Sequence, residues 1–155
     1  MKRAMEKALG RARDRAGTAM LEFTIGAGVL VAVFTGTFQF GYTFLQYNNL
    51  ENAVARGARY ASLVPYDSPT TAPSAAFQTA VRNMVLYGNP TAGGAPVLSG
   101  LTAGNVILTV TFTNQVPSAM TVWINGYTID SLFATTTLAK KPQVTYAYQG
   151  IWAPV

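Results

Sequence analysis

The sequence contains no cysteine and no histidine. That excludes thiolate nucleophiles, Cys/His zinc sites and Ser-His-Asp triads. It also excludes disulfides, so cysteine usage says nothing about the redox compartment. Charge is scarce too: 11% of the 155 residues are Asp, Glu, Lys or Arg, against about 25% in an average soluble domain. Half of the chain is hydrophobic, a balance that suits a membrane or an assembly partner. The Gly-rich stretch "NPTAGGAP" lacks the Lys-Ser/Thr of a phosphate loop. Asp67 and Asp130 stand alone in turn-like surroundings. The chain is therefore read as non-enzymatic, with no catalytic residue, no metal ligand, no cofactor and no small-molecule substrate.

The charge that is present is unevenly placed. Lys2, Arg3, Lys7, Arg11, Arg13 and Arg15 stand against Glu6 and Asp14 in residues 1–17, a net +4. Residues 18–155 carry five basic and four acidic groups, a net +1. A nucleic-acid interface needs a basic face on the folded part, so no nucleic-acid partner is expected.

After the basic leader, the 28 residues between Glu22 and Glu51 carry no charge. As a helix they would span about 42 Å at 1.5 Å per residue, more than the ~30 Å hydrocarbon core. The first part is strongly apolar. Phe40, Tyr42, Phe44 and Tyr47 then mark an emergence through the membrane–water interface, where aromatic rings accumulate. The alternative, a buried core helix, fits neither the length nor the basic flank. Positive charge prefers the cytoplasmic side, so the N-terminus is expected inside and the remainder outside, in the periplasm of a Gram-negative cell. Leu50, Ala53, Val54, Ala58 and Ala61 keep a helical period until Pro65 stops it. One continuous helix over about 18–63 is predicted, with a transmembrane part at about 22–47.

The rest reads as α+β. "PYDSPTTAPS" is a Pro/Ser/Thr-rich linker. "AAFQTAVRNMVLYGNP" is an amphipathic helix with Phe77, Val81, Met84 and Val85 inward, stopped by Gly88 and Pro90. "NVILTVTFTN" alternates as a half-buried strand, with Val106, Leu108, Val110 and Phe112 on one face. Asn125-Gly126 signals a hairpin. "QVTYAYQGIW" is a last strand, with Val144, Tyr146 and Tyr148 on one face. An antiparallel sheet of three to five strands is expected. The organisation is thus a leader at 1–17, the long helix at 18–63 and an α+β domain at 64–155.

Gly17, the spacing to Glu22, Phe23 and the helix that follows occur together. With "RAGTAMLEF", "FQFG", "NAVARGARYA", "AVRNMVLYGNP" and "GLTAGNVILTV", the chain resembles the TadE-like minor pilins, or pseudopilins, of Tad (Flp) pilus systems. The resemblance implies a pilin-like fold. It implies cleavage between Gly17 and Thr18 by a membrane prepilin peptidase, which would make Glu22 the fifth residue of the mature chain. It also implies docking of Glu22, beside Phe23, onto a neighbouring subunit's α-amine. The implied partners are the peptidase, other pilin subunits, the inner-membrane pilus platform and membrane lipid. A carboxylate inside a membrane helix costs about 2.5–3.5 kcal/mol on insertion scales, and a neighbouring amine would offset it. The bland alternative is that Glu22 snorkels to the headgroups. Signal peptidase cleavage at "AVA" is the rival processing route, but the apolar run is too long for it. Gly28, Ala32 and Gly36 form a small-xxx-small stripe for helix packing. Arg56 and Arg59 are candidates for partner contact, for lipid phosphates or for a merely solvated face. An abundant filament subunit, or a membrane-anchored binding domain unrelated to pili, are the competing functions.

Overall fold

The computed structural model describes residues 2–91, 93–131 and 134–153, and in the leader it describes side chains only at Arg3, Met5, Arg15 and Gly17. The leader charges Lys2, Lys7, Arg11 and Arg13 therefore lie outside the described side chains. Contacts divide the chain into two units, Met1–Gly41 and Tyr42–Val155.

Helix α1 runs over Lys2–Leu63. It begins within the leader, well before residue 18 where the sequence pattern places its start. The leader's Ala, Lys, Arg, Glu, Met and Leu are all strong helix formers. It ends where Val64 N–H reaches Tyr60 O at 3.1 Å and Pro65 offers no N–H to continue. Within the apolar part, Thr24 Oγ1 donates to Met20 O at 2.7 Å and Thr37 Oγ1 to Val33 O at 2.9 Å. Both hydroxyls are thereby satisfied inside the helix, as a lipid environment requires. Phe23, Ile25, Val29, Phe34 and Phe38 are all exposed.

The second unit starts at Tyr42, so the distal part of α1 is built into the globular domain. Leu50, Ala53, Val54, Ala58 and Ala61 are wholly buried. At about 100° per residue they share one arc of the helix. Gly57 lies on the same arc, and a Cβ there would overlap Val85 Cγ2 of the next helix in the chain. The missing side chain is what lets the two helices approach this closely. Helix α2, Ala75–Tyr87, is capped at both ends. Ser74 Oγ accepts from Phe77 N–H at 3.1 Å, and Gly88 takes the left-handed conformation at φ 70°. Phe77, Val81, Val85 and Leu86 are its buried residues; Met84, expected inward, is only half-buried.

Five strands follow: β1 (Val106–Thr113), β2 (Val116–Ile124), β3 (Tyr127–Asp130), β4 (Thr135–Leu138) and β5 (Gln143–Ala147). They form a three-stranded antiparallel sheet in the order β1-β2-β5 and a separate two-stranded sheet, β3-β4. The expected α+β class holds. The expected Asn125-Gly126 hairpin does not: β2 and β3 lie in different sheets. Only Gly126 of that pair has positive φ, whereas a type I′ turn needs it at both central residues. The two N–H groups bond away from the turn, Asn125 to Asn105 O at 2.8 Å and Gly126 to Leu138 O at 2.9 Å. Asn125-Gly126 is therefore a corner at which the chain leaves one sheet for the other. The tight hairpin is at Asn114-Gln115, with φ 52° and 64°, joining β1 to β2 through the Thr113–Val116 pair.

The expected linker is also corrected. Tyr66 within it is fully buried and pairs with Trp152 in a short parallel bridge. Its ring stands edge-on to Phe77, Phe112 and Tyr148, at centroid distances of 5.4, 5.9 and 6.4 Å. Trp152 closes the cluster against Phe112 at 6.3 Å, and its indole N–H donates to Ser68 O at 3.1 Å. Composition suggested a loose connection, but aromatic burial makes this segment a plug that ties the end of α1 to the C-terminal strand region.

Candidate functional site

Gly17, Thr18, Glu22 and Phe23 lie on α1 and are exposed, Phe23 to 77%. No atom comes within 4 Å of a Cβ built at Gly17, Gly28 or Gly36. Ala32 between the last two is exposed as well. The small-residue stripe is thus an open helix face within this chain. The stretch Gly17–Leu63 contains an 18-residue window of mean hydropathy 1.8, none of it buried. An apolar surface of this length has the properties of a membrane anchor.

In the globular unit, Arg56 and Arg59 are both exposed. The helical period that buries Leu50, Ala53, Val54, Ala58 and Ala61 turns Glu51, Asn52, Arg56, Arg59 and Leu63 outward. Among the described residues neither arginine has an ion-pair partner, and nor does Glu51. The arginines stand on a ridge between two grooves. On one side Asn52, Ala55, Arg56, Arg59 and Tyr146 enclose about 470 Å³. On the other, Arg56, Arg59, Tyr60, Leu63, Met84 and Gly88 enclose about 320 Å³. Sequence periodicity puts Tyr146 on the inner face of β5 beside Val144. It does sit opposite the buried Met120, but β5 is an edge strand and Tyr146 remains 39% exposed. Tyr146 and Met84 help wall these grooves, although the sequence pattern assigns them to element faces and not to a site. Their signal was present as two large side chains at the margins of amphipathic elements.

The remaining polar groups of note are structural. Asp67 accepts from Ser74 Oγ, which frees the lone pairs of that oxygen to cap α2. Tyr148 Oη accepts from Tyr66 N–H at 2.8 Å and lies 2.8 Å from Ile151 O and 3.2 Å from Val64 O. Burial raises the pKa of Tyr66, Tyr127 and Tyr148 above the ordinary tyrosine value. Among the described residues no group of three His, Cys, Asp or Glu could hold a metal ion.

Residues 17–59 match the family model described as TadE-like protein. The matched segment begins at Gly17 and ends at Arg59, and spans the apolar part of α1 together with the arginine ridge. No curated protein and no solved structure matches the chain. The match covers 43 of the 155 residues, so the N-terminal segment is similar to TadE-like proteins.

Proposed function

We propose that this chain is a minor pilin or assembly factor of a Tad-type pilus, held in the inner membrane by the apolar part of α1. The observation that carries the reading is the TadE-like match from residue 17 to 59, laid over an unburied helix of membrane-spanning length. In this reading prepilin peptidase cuts between Gly17 and Thr18. Gly17 lies inside α1, where glycine weakens a helix by about 1 kcal/mol relative to alanine. It is therefore a place where the backbone unwinds into the extended form a protease needs. The leader's positive charge holds the N-terminus in the cytoplasm, and the α+β domain is periplasmic.

Cleavage leaves Glu22 as the fifth residue of the mature chain. A neighbour's free α-amine would neutralise it and offset the cost of a carboxylate in lipid. Docking onto other pilin subunits and the inner-membrane platform follows from that pair. The chain is not an enzyme in this reading and needs no cofactor.

The test is Glu22→Gln, which keeps the shape and one acceptor but removes the charge. Cleavage and membrane insertion should persist, while co-purification with sheared pili or with the platform should fall. Normal co-purification would remove the docking role. A second reading is favoured by the extent of the match, which stops at Arg59 and leaves the domain beyond it outside: that domain is a periplasmic binding module unrelated to pili. A deletion strain with intact pili would support it.

A further inference from the structure

Strand β5 borders the three-stranded sheet on one side, and its outer edge is open. At the two ends of the β2–β5 ladder, Tyr148 N–H donates to Ser118 O at 2.9 Å and Ile124 N–H to Pro142 O at 3.2 Å. Antiparallel pairing alternates between these ends, so Val144 and Tyr146 turn their backbone groups toward β2. Gln143, Thr145 and Ala147 turn theirs away from it. The next group in that outward series, Gln149 N–H, is taken by Ser62 O of α1 at 2.9 Å. Among the described residues nothing takes the outward groups of the other three. Gln143–Ala147 holds no proline, no charge and no bulge, which are devices that shield a sheet edge.

The ground beside this edge is basic. Arg59 and Tyr146 share the groove of about 470 Å³. With Ser62, Ala147 and Gln149 they also border a further space of about 370 Å³. The residues that wall the two spaces include Arg56 and Arg59 and no carboxylate. Just before β5, Lys140 and Lys141 are exposed. The open edge is thus about 13 Å long at ~3.3 Å per residue, with positive charge at both ends.

We propose that β5 accepts an added strand from a different protein, an extended segment that carries carboxylates. Its main chain bonds to Gln143, Thr145 and Ala147, and its acidic side chains meet Arg59 at one end and the two lysines at the other. Strand addition draws affinity from such main-chain bonds and specificity from the alternate side chains. Charge complementarity names the occupant. A second copy of this chain is the poorer guest, because two β5 edges paired antiparallel about Thr145 set Lys141 of one copy opposite Gln149 of the other, beside Arg59. The chain also has no acidic run to offer: beyond residue 64 its acidic residues are Asp67 and Asp130. The proposal is independent of cleavage at Gly17 and of the pilus reading.

The test uses the full-length chain in detergent and fluorescein-labelled seven-residue peptides that alternate glutamate and threonine. Fluorescence polarisation should show saturable binding. Alternate amides of an added strand face opposite sides, so N-methylating the threonine amides and N-methylating the glutamate amides must act differently. One pattern should abolish binding and the other should leave it in place. Thr145→Pro removes an outward N–H and spares the β2 ladder, since proline is tolerated on an edge whose N–H faces solvent. It should weaken binding at least about fivefold, the order of one hydrogen bond lost, with near-ultraviolet circular dichroism reporting that the fold persists. Arg59→Gln leaves the backbone untouched and should weaken the glutamate peptide about threefold, the order of one exposed ion pair lost. A peptide of glutamine and threonine should bind that variant and the parent alike. Absence of binding by the glutamate peptide overturns the proposal. So do equal effects of the two N-methylation patterns, or parent-like binding of the glutamate peptide by Arg59→Gln.

Discussion

Gly57 offers a test in which the sign of the effect decides. In an isolated helix, Gly57→Ala would stabilise by about 1 kcal/mol through helix propensity. Here the new Cβ would overlap Val85 Cγ2, with Val81 O 3.5 Å away. Val85 is fully buried, so its side chain has no open space to move into. Overpacking of this kind costs about 1–3 kcal/mol, which leaves a net loss of about 1 kcal/mol. For a domain of this size that lowers the unfolding midpoint by about 4 °C. Gly57→Val adds further methyl groups at the same point and should cost more than about 3 kcal/mol. Val85→Ala alone opens a cavity and should cost roughly 2 kcal/mol. In the double variant the alanine methyl at 57 enters that cavity, so the losses should fail to add by about 1 kcal/mol or more. The assay is thermal unfolding of the detergent-solubilised protein, followed by near-ultraviolet circular dichroism, which reports the aromatic cluster. A higher midpoint for Gly57→Ala, or strict additivity in the cycle, would refute the close approach of α1 and α2.

Other expectations follow from the same geometry. Tyr148→Phe removes the hydroxyl shared by Tyr66 N–H and the Ile151 and Val64 carbonyls, and should cost about 1–2 kcal/mol in the same assay; an unchanged midpoint would show that the C-terminal segment is not tied there. Tyr66, Tyr127 and Tyr148 have folded-state pKa values raised by burial, so their contribution is fully present below the unfolded value near 10 and is lost as pH rises through the folded values. Midpoints measured from pH 8 to 11 should therefore stay flat and then fall, and an onset of the fall below about pH 9 would contradict the assignment. A reporter fused after residue 155 should be active in the periplasm, and cytoplasmic activity would reverse the proposed topology.

The sequence shows most where one element decides its own structure. The apolar period of residues 50–61 predicts which side of α1 is buried, and Gly88 predicts the end of α2. The alternation of Val106, Leu108, Val110 and Phe112 predicts the inner face of β1. It shows least where a distant segment decides. Tyr66 sits among prolines, serines and threonines, and only Phe77, Phe112, Tyr148 and Trp152 turn that stretch into core. Asn125-Gly126 carries the local hairpin signal, yet Asn105 and Leu138 claim its N–H groups and divert the chain into a second sheet. Asn114-Gln115 makes the tight turn without a glycine. Of the candidate site, Glu22, Arg56 and Arg59 stood out as charges in a chain with few of them. The grooves beside the arginines depend on Tyr146 and Met84, which are brought to α1 by tertiary packing alone.

The account as a whole depends on the chain being a processed pilin-like subunit. The most direct measurement is the N-terminal sequence of the protein extracted from membranes of cells with active prepilin peptidase. The account predicts a mature chain that starts at Thr18, with a mass reduced by the leader at 1–17. Recovery of the intact chain beginning at Met1 would contradict it.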